Sequence, residues 1–310
     1  MFEYFPDNYV WTLATTLPLN CGGSISEVDE ACRPLKPYAK ANNAAAQEAW
    51  YESWKKLAER VEKLALEHEV AGQYLSAGRK YRRACGYYLT AERVVNHRDP
   101  RRIQTYRQAM RAFKKAIQLR KEPVEFVEVP YMGSSLPALF IPGEGKGRRP
   151  CMIHFDGFDV MKEIIYLMVG DEFRRRGIGL LIVDHPGVGE ALRERGLRSG
   201  PDTEVPAGAS VDYLEKRPEV DPQKIGIMAL SLGGYYAPRA AAFEKRLKCC
   251  VAWGGIWDFG ELMSNFLGGR GEPSVPGMGE HAMWVFGKET LEEALAVAAK
   301  MKLEHKERVC

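Results

Sequence analysis

Four short apolar runs separated by helix-length segments constrain the fold of this chain more than any other feature. The runs are PCMIHFDGFD, GIGLLIVDHPGVGE, KIGIMALSLGG and LKCCVAWGGI, and in each the apolar stretch is followed by Gly, Asp or Ser. Continuous apolar runs that alternate with helices are typical of a parallel sheet covered on both faces. The earlier runs EFVEVPY and ALFIP alternate like strands and have Pro and Gly neighbours that mark turns. We therefore predict an α/β domain over residues 123–310.

The residues before Pro123 predict a different architecture. From about residue 43 to residue 120 the chain is almost free of Pro, and its apolar residues recur at helical spacing. Two such faces are Trp50, Trp54, Leu57, Val61 and Leu64, and Ile103, Tyr106, Met110, Phe113 and Ile117. The Tyr-rich stretch between them predicts a further helix or a pair of helices. Residues 1–122 are therefore predicted to be an N-terminal segment followed by a helical bundle.

The charge balance argues against several classes of function. The 310 residues include 44 Lys and Arg against 41 Asp and Glu, a net charge of +3, which gives no reason to expect nucleic acid or anionic lipid as a partner. Fourteen Lys or Arg lie between Arg79 and Lys121, against two acidic residues. This run is either a surface for a nucleic acid or an anionic substrate, or a solvated helix face matched by an acidic sheet domain or a dimer partner. We favour the solvated face because no nucleic-acid motif accompanies the run.

Targeting and cysteine patterns predict a soluble cytoplasmic protein without a metal or a cofactor. No uncharged apolar stretch approaches the roughly 18 residues that cross a bilayer, and the N-terminus lacks a positively charged start. Seven scattered cysteines without a CxxC pair do not suggest structural zinc or a disulfide framework. We expect them to be reduced core residues, with Cys249 and Cys250 in a buried strand.

Ser231 stands where an apolar run gives way to a helix. The strand 225–230 leads into ALSLGG, where Ala229 and Gly233 are as small as a tight strand-to-helix turn demands. This is the nucleophile elbow G-x-S-x-G with Ala in place of the first Gly. An elbow raises the serine oxygen above the sheet and aims a helix N-terminus at a developing oxyanion. The alternative is an incidental serine in an ordinary strand–turn–helix link.

The loop after CMIHF is the expected source of a second oxyanion donor. Gly157 allows a turn that points the Phe158 backbone N–H toward Ser231, and the Leu232 N–H is its expected partner. Glu163 follows where a helix could start. It either reaches the pocket or only contributes a favourable charge to the first turn of that helix.

The segment IVDHPGVGE offers an adjacent acid and histidine, Asp184 and His185. Neighbouring residues on a strand point to opposite faces, so we favour a pocket-lining turn over a catalytic pair. A phosphate-binding loop is not indicated, because PGVGE meets neither glycine-rich spacing.

Together, the helical N-terminal half, FDGFDVMKE, DHPGVGE, ALSLGGYYAPRAAA and HAMWVFG resemble the α/β-hydrolases grouped with 2,6-dihydroxypseudooxynicotine hydrolase. Fungal hydrolases that shorten polyketide chains in pigment and secondary-metabolite pathways are part of that group. The resemblance covers about residues 45–305. It implies an α/β-hydrolase core with a helical cap, a homodimer, and cleavage of a carbon–carbon bond beside a ketone in an aromatic or polyketide substrate. It also implies Ser231 as nucleophile or general catalyst, Phe158 and Leu232 as oxyanion donors, and Glu163 as an assisting carboxylate in the pocket.

The acid and base of a triad are expected downstream of Ser231, in the order Ser, Asp or Glu, His. After LKCCVAWGGI the sequence supplies a glycine-rich loop and an amphipathic helix at residues 291–298, without a further apolar strand. We therefore expect a sheet that lacks its last strands and the usual Asp and His.

Asp258 and His281 are candidate substitutes, because with Ser231 they preserve the order Ser, Asp, His. His281 would then lie in a loop that could fold over the pocket. His305 is a weaker substitute for the histidine. The resemblance instead places His281 in a segment that lines the substrate.

These observations predict a serine-dependent hydrolase that cleaves a carbon–carbon or ester bond in a largely apolar keto substrate, with reduced activity. A catalytically inactive remnant that binds a ligand or a partner is one alternative. An acyltransferase that uses the same residues is another, because only the group that attacks the intermediate would differ.

Overall fold

The computed structural model describes residues 3–6, 8–41, 43–267 and 277–303. The chain divides into two compact units, Met1–Glu122 and Pro123–Cys310. No helix in the described ranges is both long enough and apolar enough to cross a membrane.

The first unit is helical. Its elements are α1 (Tyr9–Asn20), α2 (Ile25–Cys32), a 3-10 segment (Arg33–Tyr38), α3 (Ala44–Val70), α4 (Tyr74–Glu92) and α5 (Pro100–Arg120). Trp50 and Trp54 of the predicted α3 face are fully buried, whereas Leu64 at its end is 37% exposed. The rings of Phe5, Trp11, Trp50 and Trp54 follow one another at centroid distances of 4.8–5.6 Å, so the N-terminal segment packs on α3.

The basic run lies on α4 and α5 and finds acidic partners inside this unit. Arg83 pairs with Glu27, Arg101 with Glu48, Arg102 with Glu92 and Lys115 with Glu69. The matching carboxylates come from α2, α3 and α4, so these four cations are paired within the helical unit rather than by the sheet domain or a dimer partner. The pair of Arg102 and Glu92 differs from the others because it is buried, with an Nε–Oε2 distance of 2.8 Å.

We predict that Arg102→Met lowers the free energy of unfolding by about 3 to 5 kcal/mol, because it removes the guanidinium that pairs with the buried Glu92 carboxylate. The matched control is Arg60→Met, which removes an exposed pair with Glu30 at 2.7 Å and should cost less than about 1 kcal/mol. Urea unfolding followed by far-UV circular dichroism measures both. Equal losses in the two variants would contradict the assigned difference in burial.

The second unit is built on a mixed, mostly parallel sheet. Its strands are β1 (Glu125–Tyr131), β2 (Ser134–Ile141), β3 (Arg149–Phe155), β4 (Gly179–Val183), β5 (Val220–Leu230) and β6 (Cys250–Trp253). The strand order in the described sheet is β1-β2-β4-β3-β5-β6. Strand β2 pairs antiparallel with β1 and β4, whereas β4, β3, β5 and β6 run parallel. The predicted α/β class is confirmed, and each of the four apolar runs supplies a strand.

Helices connect the parallel strands of this sheet and also follow its last strand. They are α6 (Lys162–Arg175), α7 (Gly189–Arg193), α8 (Glu204–Glu215), α9 (Gly233–Phe243), α10 (Phe259–Phe266), α11 (Met278–Phe286) and α12 (Leu291–Ala298). One buried cluster joins Ile153 and Phe155 of β3 to Val211 of α8 and Tyr236 of α9. The carboxyl ends of β3, β4, β5 and β6 lie at one edge of the sheet because these strands are parallel, which is where α/β folds place their sites.

The structure corrects two expectations. Strand β6 is not buried, because it is the edge strand of the described sheet: Cys249 is exposed, and Val251 and Trp253 are 39% and 43% exposed.

His281 lies in helix α11 rather than in a loop, because Ala282, Val285 and Phe286 form a buried face between the flanking Gly277 and Gly287. His305, the weaker candidate for a catalytic histidine, and the cysteine Cys310 lie outside the described residues.

Candidate active site

Ser231 occupies a strained turn between β5 and α9. Its φ is 61°, in the left-handed region that non-glycine residues rarely adopt, at a cost on the order of 1 to 3 kcal/mol. Its backbone N–H donates to the Trp253 carbonyl at the end of β6 (2.9 Å), and its carbonyl accepts from the Gly234 N–H (2.8 Å). The side chain is exposed at the carboxyl edge of the sheet. This is the geometry of a nucleophile elbow.

Glycines let three segments of backbone meet at the elbow. A Cβ at Gly233 would lie 2.4 Å from the Ala229 Cβ, and one at Gly234 would lie 1.8 Å from the Gly254 carbonyl oxygen. Both contacts are far closer than real Cβ atoms make. The small residues that the sequence places around Ser231 are therefore required by packing.

The loop between β3 and α6, residues 156–161, runs against Ser231 from the other side, and we call it the oxyanion loop. A Cβ at Gly157 would lie 2.9 Å from the Ser231 Cβ and 3.4 Å from its Oγ. Phe158 comes next in the chain, and Leu232 is the N-cap of α9, where the first N–H groups have no partner within the helix. The predicted donors thus belong to segments that meet at Ser231.

Aromatic side chains surround Phe158. Its ring lies 5.4 Å from Phe259, 5.8 Å from Phe286 and 4.9 Å from the ring of His281, centroid to centroid. The His281 Nε2 lies 3.1 Å from the Phe158 carbonyl oxygen. A carbonyl only accepts, so Nε2 is the donor in this contact. Helix α11 therefore holds the oxyanion loop through His281.

Asp258 has a separate setting. Its carboxylate accepts from the Glu261 N–H (2.9 Å) as the N-cap of α10, and it pairs with Lys302 at 3.0 Å. The cap contact, followed by Lys302, holds the pKa of Asp258 below its usual value. These contacts give Asp258 and His281 different structural roles, and a triad that joins them stays a prediction.

The remaining candidates belong to a buried charged cluster behind the oxyanion loop. Lys162 Nζ lies 2.7 Å from Asp184 Oδ2, 2.9 Å from Glu163 Oε1 and 3.2 Å from Glu190 Oε2. Glu163 is in the first turn of α6 as predicted, and it is 1% exposed. Burial raises the pKa of Glu163 and of Asp156, and the negative charge of Asp184 raises both further.

His185 does not share the surroundings of Asp184. Its ring packs on Phe155 and Tyr236, and its Nε2 lies 3.3 Å from the Asp156 carbonyl oxygen. Burial lowers the pKa of His185 to about 4, so it is a neutral packing residue at physiological pH. The separate surroundings of Asp184 and His185 argue against a catalytic pair, and the pocket-lining role of this turn stays a prediction.

A family model of FrsA-like esterases matches residues 45–277 of the chain. The chain belongs to the FrsA-like esterase family. The hydrolase ORFZ of Pyricularia oryzae is 35% identical over 258 residues, which cover 77% of this chain and 59% of that protein. The alpha/beta hydrolase gkaG of Penicillium citrinum is 32% identical over 226 residues, covering 69% of this chain and 53% of the relative. This FrsA-like chain thus spans a little more than half the length of these curated relatives.

The fold is also that of a solved α/β-hydrolase. The crystal structure of 2,6-dihydroxy-pseudo-oxynicotine hydrolase superposes with a TM-score of 0.74 at 28% identity, over 92% of this chain and 75% of that one. The predicted hydrolase fold and the predicted family are confirmed. The matched range begins at residue 45 and therefore includes α3, α4 and α5 of the helical unit.

Sequence reasoning missed Lys162 and Asp156. Lys162 is 2% exposed and Asp156 is fully buried, although both are residue types that usually stay at the surface. A signal was present in FDGFDVMKE, where charged residues directly follow an apolar strand. The role of these charged residues depends on Asp184, which is distant in sequence. Asp184 lies beside them only because β3 pairs with β4.

We predict that Gly234→Ala destabilises the FrsA-like chain by about 1 to 3 kcal/mol or more, because its methyl group would collide with the Gly254 carbonyl. Gly200→Ala is the matched control, since a Cβ at Gly200 meets no atom within 4 Å. The two variants are compared by thermal unfolding. Equal Tm values for both would contradict the close approach at the elbow.

Proposed function

We propose that this FrsA-like chain is a serine-dependent hydrolase with Ser231 as nucleophile and the Phe158 and Leu232 N–H groups as oxyanion donors. The left-handed backbone of Ser231, with Gly157 packed directly against it, is the observation that carries the proposal. Such strain is costly and is found where the surroundings enforce a functional geometry.

The chemistry follows from this arrangement. Ser231 Oγ forms a bond to a carbonyl carbon while a base accepts its proton, and the carbonyl electron pair moves onto oxygen between the two N–H donors. Collapse of this intermediate breaks the bond to the leaving group, an alcohol from an ester or an enolate from a carbon–carbon bond beside a ketone. The leaving group takes up a proton, and water then hydrolyses the acyl-serine.

The choice of substrate class rests on the relatives and on the aromatic surroundings of Phe158. The structural neighbour is named as a hydrolase of 2,6-dihydroxy-pseudo-oxynicotine, and the fungal relatives are named as hydrolases. The rings of Phe259 and Phe286 are buried beside Phe158, so the surroundings of the proposed donor are apolar. We therefore propose cleavage of a carbon–carbon bond beside a ketone, or of an ester, in an aromatic or polyketide-type molecule of secondary metabolism, pigment synthesis included.

Several further features stay predictions. They are the cap role of the helical unit, the homodimer, the cytoplasmic location, the assisting role of Glu163 and the reduced activity. An acyltransferase would use the same Ser231 and would differ by transferring the acyl group to an acceptor other than water. An inactive ligand-binding remnant would retain the elbow without an activated serine.

We predict that a fluorophosphonate labels Ser231, because an activated serine displaces fluoride from phosphorus and forms a covalent adduct. Ser231→Ala should abolish labelling and lower ester hydrolysis by several orders of magnitude. Ser264→Ala, at an exposed serine of α10, is the matched control. Intact-mass and peptide mass spectrometry locate the adduct. A wild-type chain that stays unlabelled would favour the remnant.

His281 is either the catalytic base or a donor that holds the oxyanion loop, and a pair of substitutions distinguishes these two roles. A catalytic base cannot be replaced by Gln, whereas a donor to the Phe158 carbonyl can, since the Gln amide also donates. From the observed contact we expect His281→Gln to label within about fivefold of the wild-type rate and His281→Ala to label at least tenfold more slowly. Labelling kinetics measure both. Equal losses of several orders of magnitude would instead establish His281 as the base.

A further inference from the structure

Asp184 ties the far end of the oxyanion loop to the sheet. It follows β4 directly, and β4 pairs with β3, the strand from which the loop departs. Asp184 Oδ1 accepts from the backbone N–H of Lys162, the first residue of α6 (2.9 Å). The loop is therefore held at its start by β3 and at its end by Asp184.

The second oxygen of the same carboxylate completes a two-helix clamp. Asp184 Oδ2 accepts from the backbone N–H of Glu190 in α7 (2.7 Å) and from Lys162 Nζ (2.7 Å). Asp184 is fully buried, so three donors hold its carboxylate in one position. Hydrogen bonds between ionised groups and backbone N–H groups are short and strong, and they favour a single geometry.

Gly189 makes this position possible. Its φ is +49°, and a Cβ there would lie 2.1 Å from the Asp184 carboxylate. The glycine in DHPGVGE thus admits the carboxylate. Asp184 and Gly189 are the parts of this motif that neither the elbow nor the proposed chemistry uses.

We propose that Asp184 is a positioning residue that sets the place of the Phe158 N–H relative to Ser231 by anchoring the oxyanion loop at Lys162. The proposal rests on the proposed function for its catalytic consequence, but the anchoring is measurable without it. A loop displaced by about 1 Å can lower a rate by about 10²-fold, and one oxyanion donor contributes about 10²- to 10³-fold.

Two substitutions test the clamp, each with a matched control. Asp184→Asn keeps an oxygen for the Lys162 N–H but turns an amide donor toward Lys162 Nζ and the Glu190 N–H. Its control is Arg217→Met, which breaks the ion pairs of Arg217 with Glu125 and Glu219. Arg217 lies just before β5, at the opposite end of that strand from Ser231.

Gly189→Ala pushes the Asp184 carboxylate aside without removing its charge. Its control is Gly196→Ala, which has a φ of +65° and meets no atom within 4 Å.

Hydrogen exchange measures the anchoring and labelling measures its consequence. We expect faster amide exchange across residues 157–162 in Asp184→Asn and Gly189→Ala than in their controls. We also expect fluorophosphonate labelling to slow at least tenfold in Asp184→Asn and at least fivefold in Gly189→Ala. For a p-nitrophenyl ester, kcat should fall while KM changes less than twofold. All rates are taken where circular dichroism shows a folded chain.

The outcomes separate this proposal from the function on which it rests. If amide exchange and labelling in Gly189→Ala stay within twofold of those in Gly196→Ala, the anchor is overturned. If Asp184→Asn does not fold, the comparison of these two glycine variants is sufficient to decide. Faster exchange without slower labelling would also overturn the positioning role. An unlabelled wild-type chain would overturn the proposed function, whereas the exchange measurement would still report whether Asp184 holds the loop.

Discussion

The approach of three backbone segments at Ser231 is the constraint on which the rest of the site depends. The β5–α9 turn, the oxyanion loop at Gly157 and the end of β6 at Gly254 meet without space for intervening side chains. Register in the sheet produces this meeting, because Ala229 pairs with Phe155 and the next residue of β5 pairs with β6. A shift of one residue in either pairing would separate the segments and invert the side chains of the strand.

The core of the second unit and the elbow could be predicted because their signals are local. A continuous apolar run reports a strand buried on both faces, and small residues at fixed offsets from Ser231 report a tight turn. Most of the predicted faces of α3 and α5 could also be recognised, because helical periodicity depends only on spacing along the chain, although Ile103 and Met110 of α5 are only half-buried. Leu64 shows the limit of that signal, since periodicity cannot tell where along a helix the neighbouring structure ends.

Other features depended on neighbours that the sequence does not reveal. Whether Cys249 is buried is decided by what lies beside β6, and the run LKCCVAWGGI reads the same in a central strand and in an edge strand. The glycines before His281 predict a loop, although the apolar positions at 282, 285 and 286 follow helical spacing. In each instance the apolar pattern was visible, and its structural context came from tertiary contacts.

Stability alone does not explain the buried charges around Lys162. The desolvation free energy of an ammonium and several carboxylates typically exceeds the electrostatic attraction between them. Apolar residues of similar volume would often stabilise a core more. An oxyanion hole, by contrast, needs its donors placed within about 0.5 Å. Three donors on the Asp184 carboxylate fix the start of α6 in a way that apolar contacts, which lack direction, do not. The desolvation cost of the cluster is then best understood as the energetic cost of a rigid loop beside Ser231.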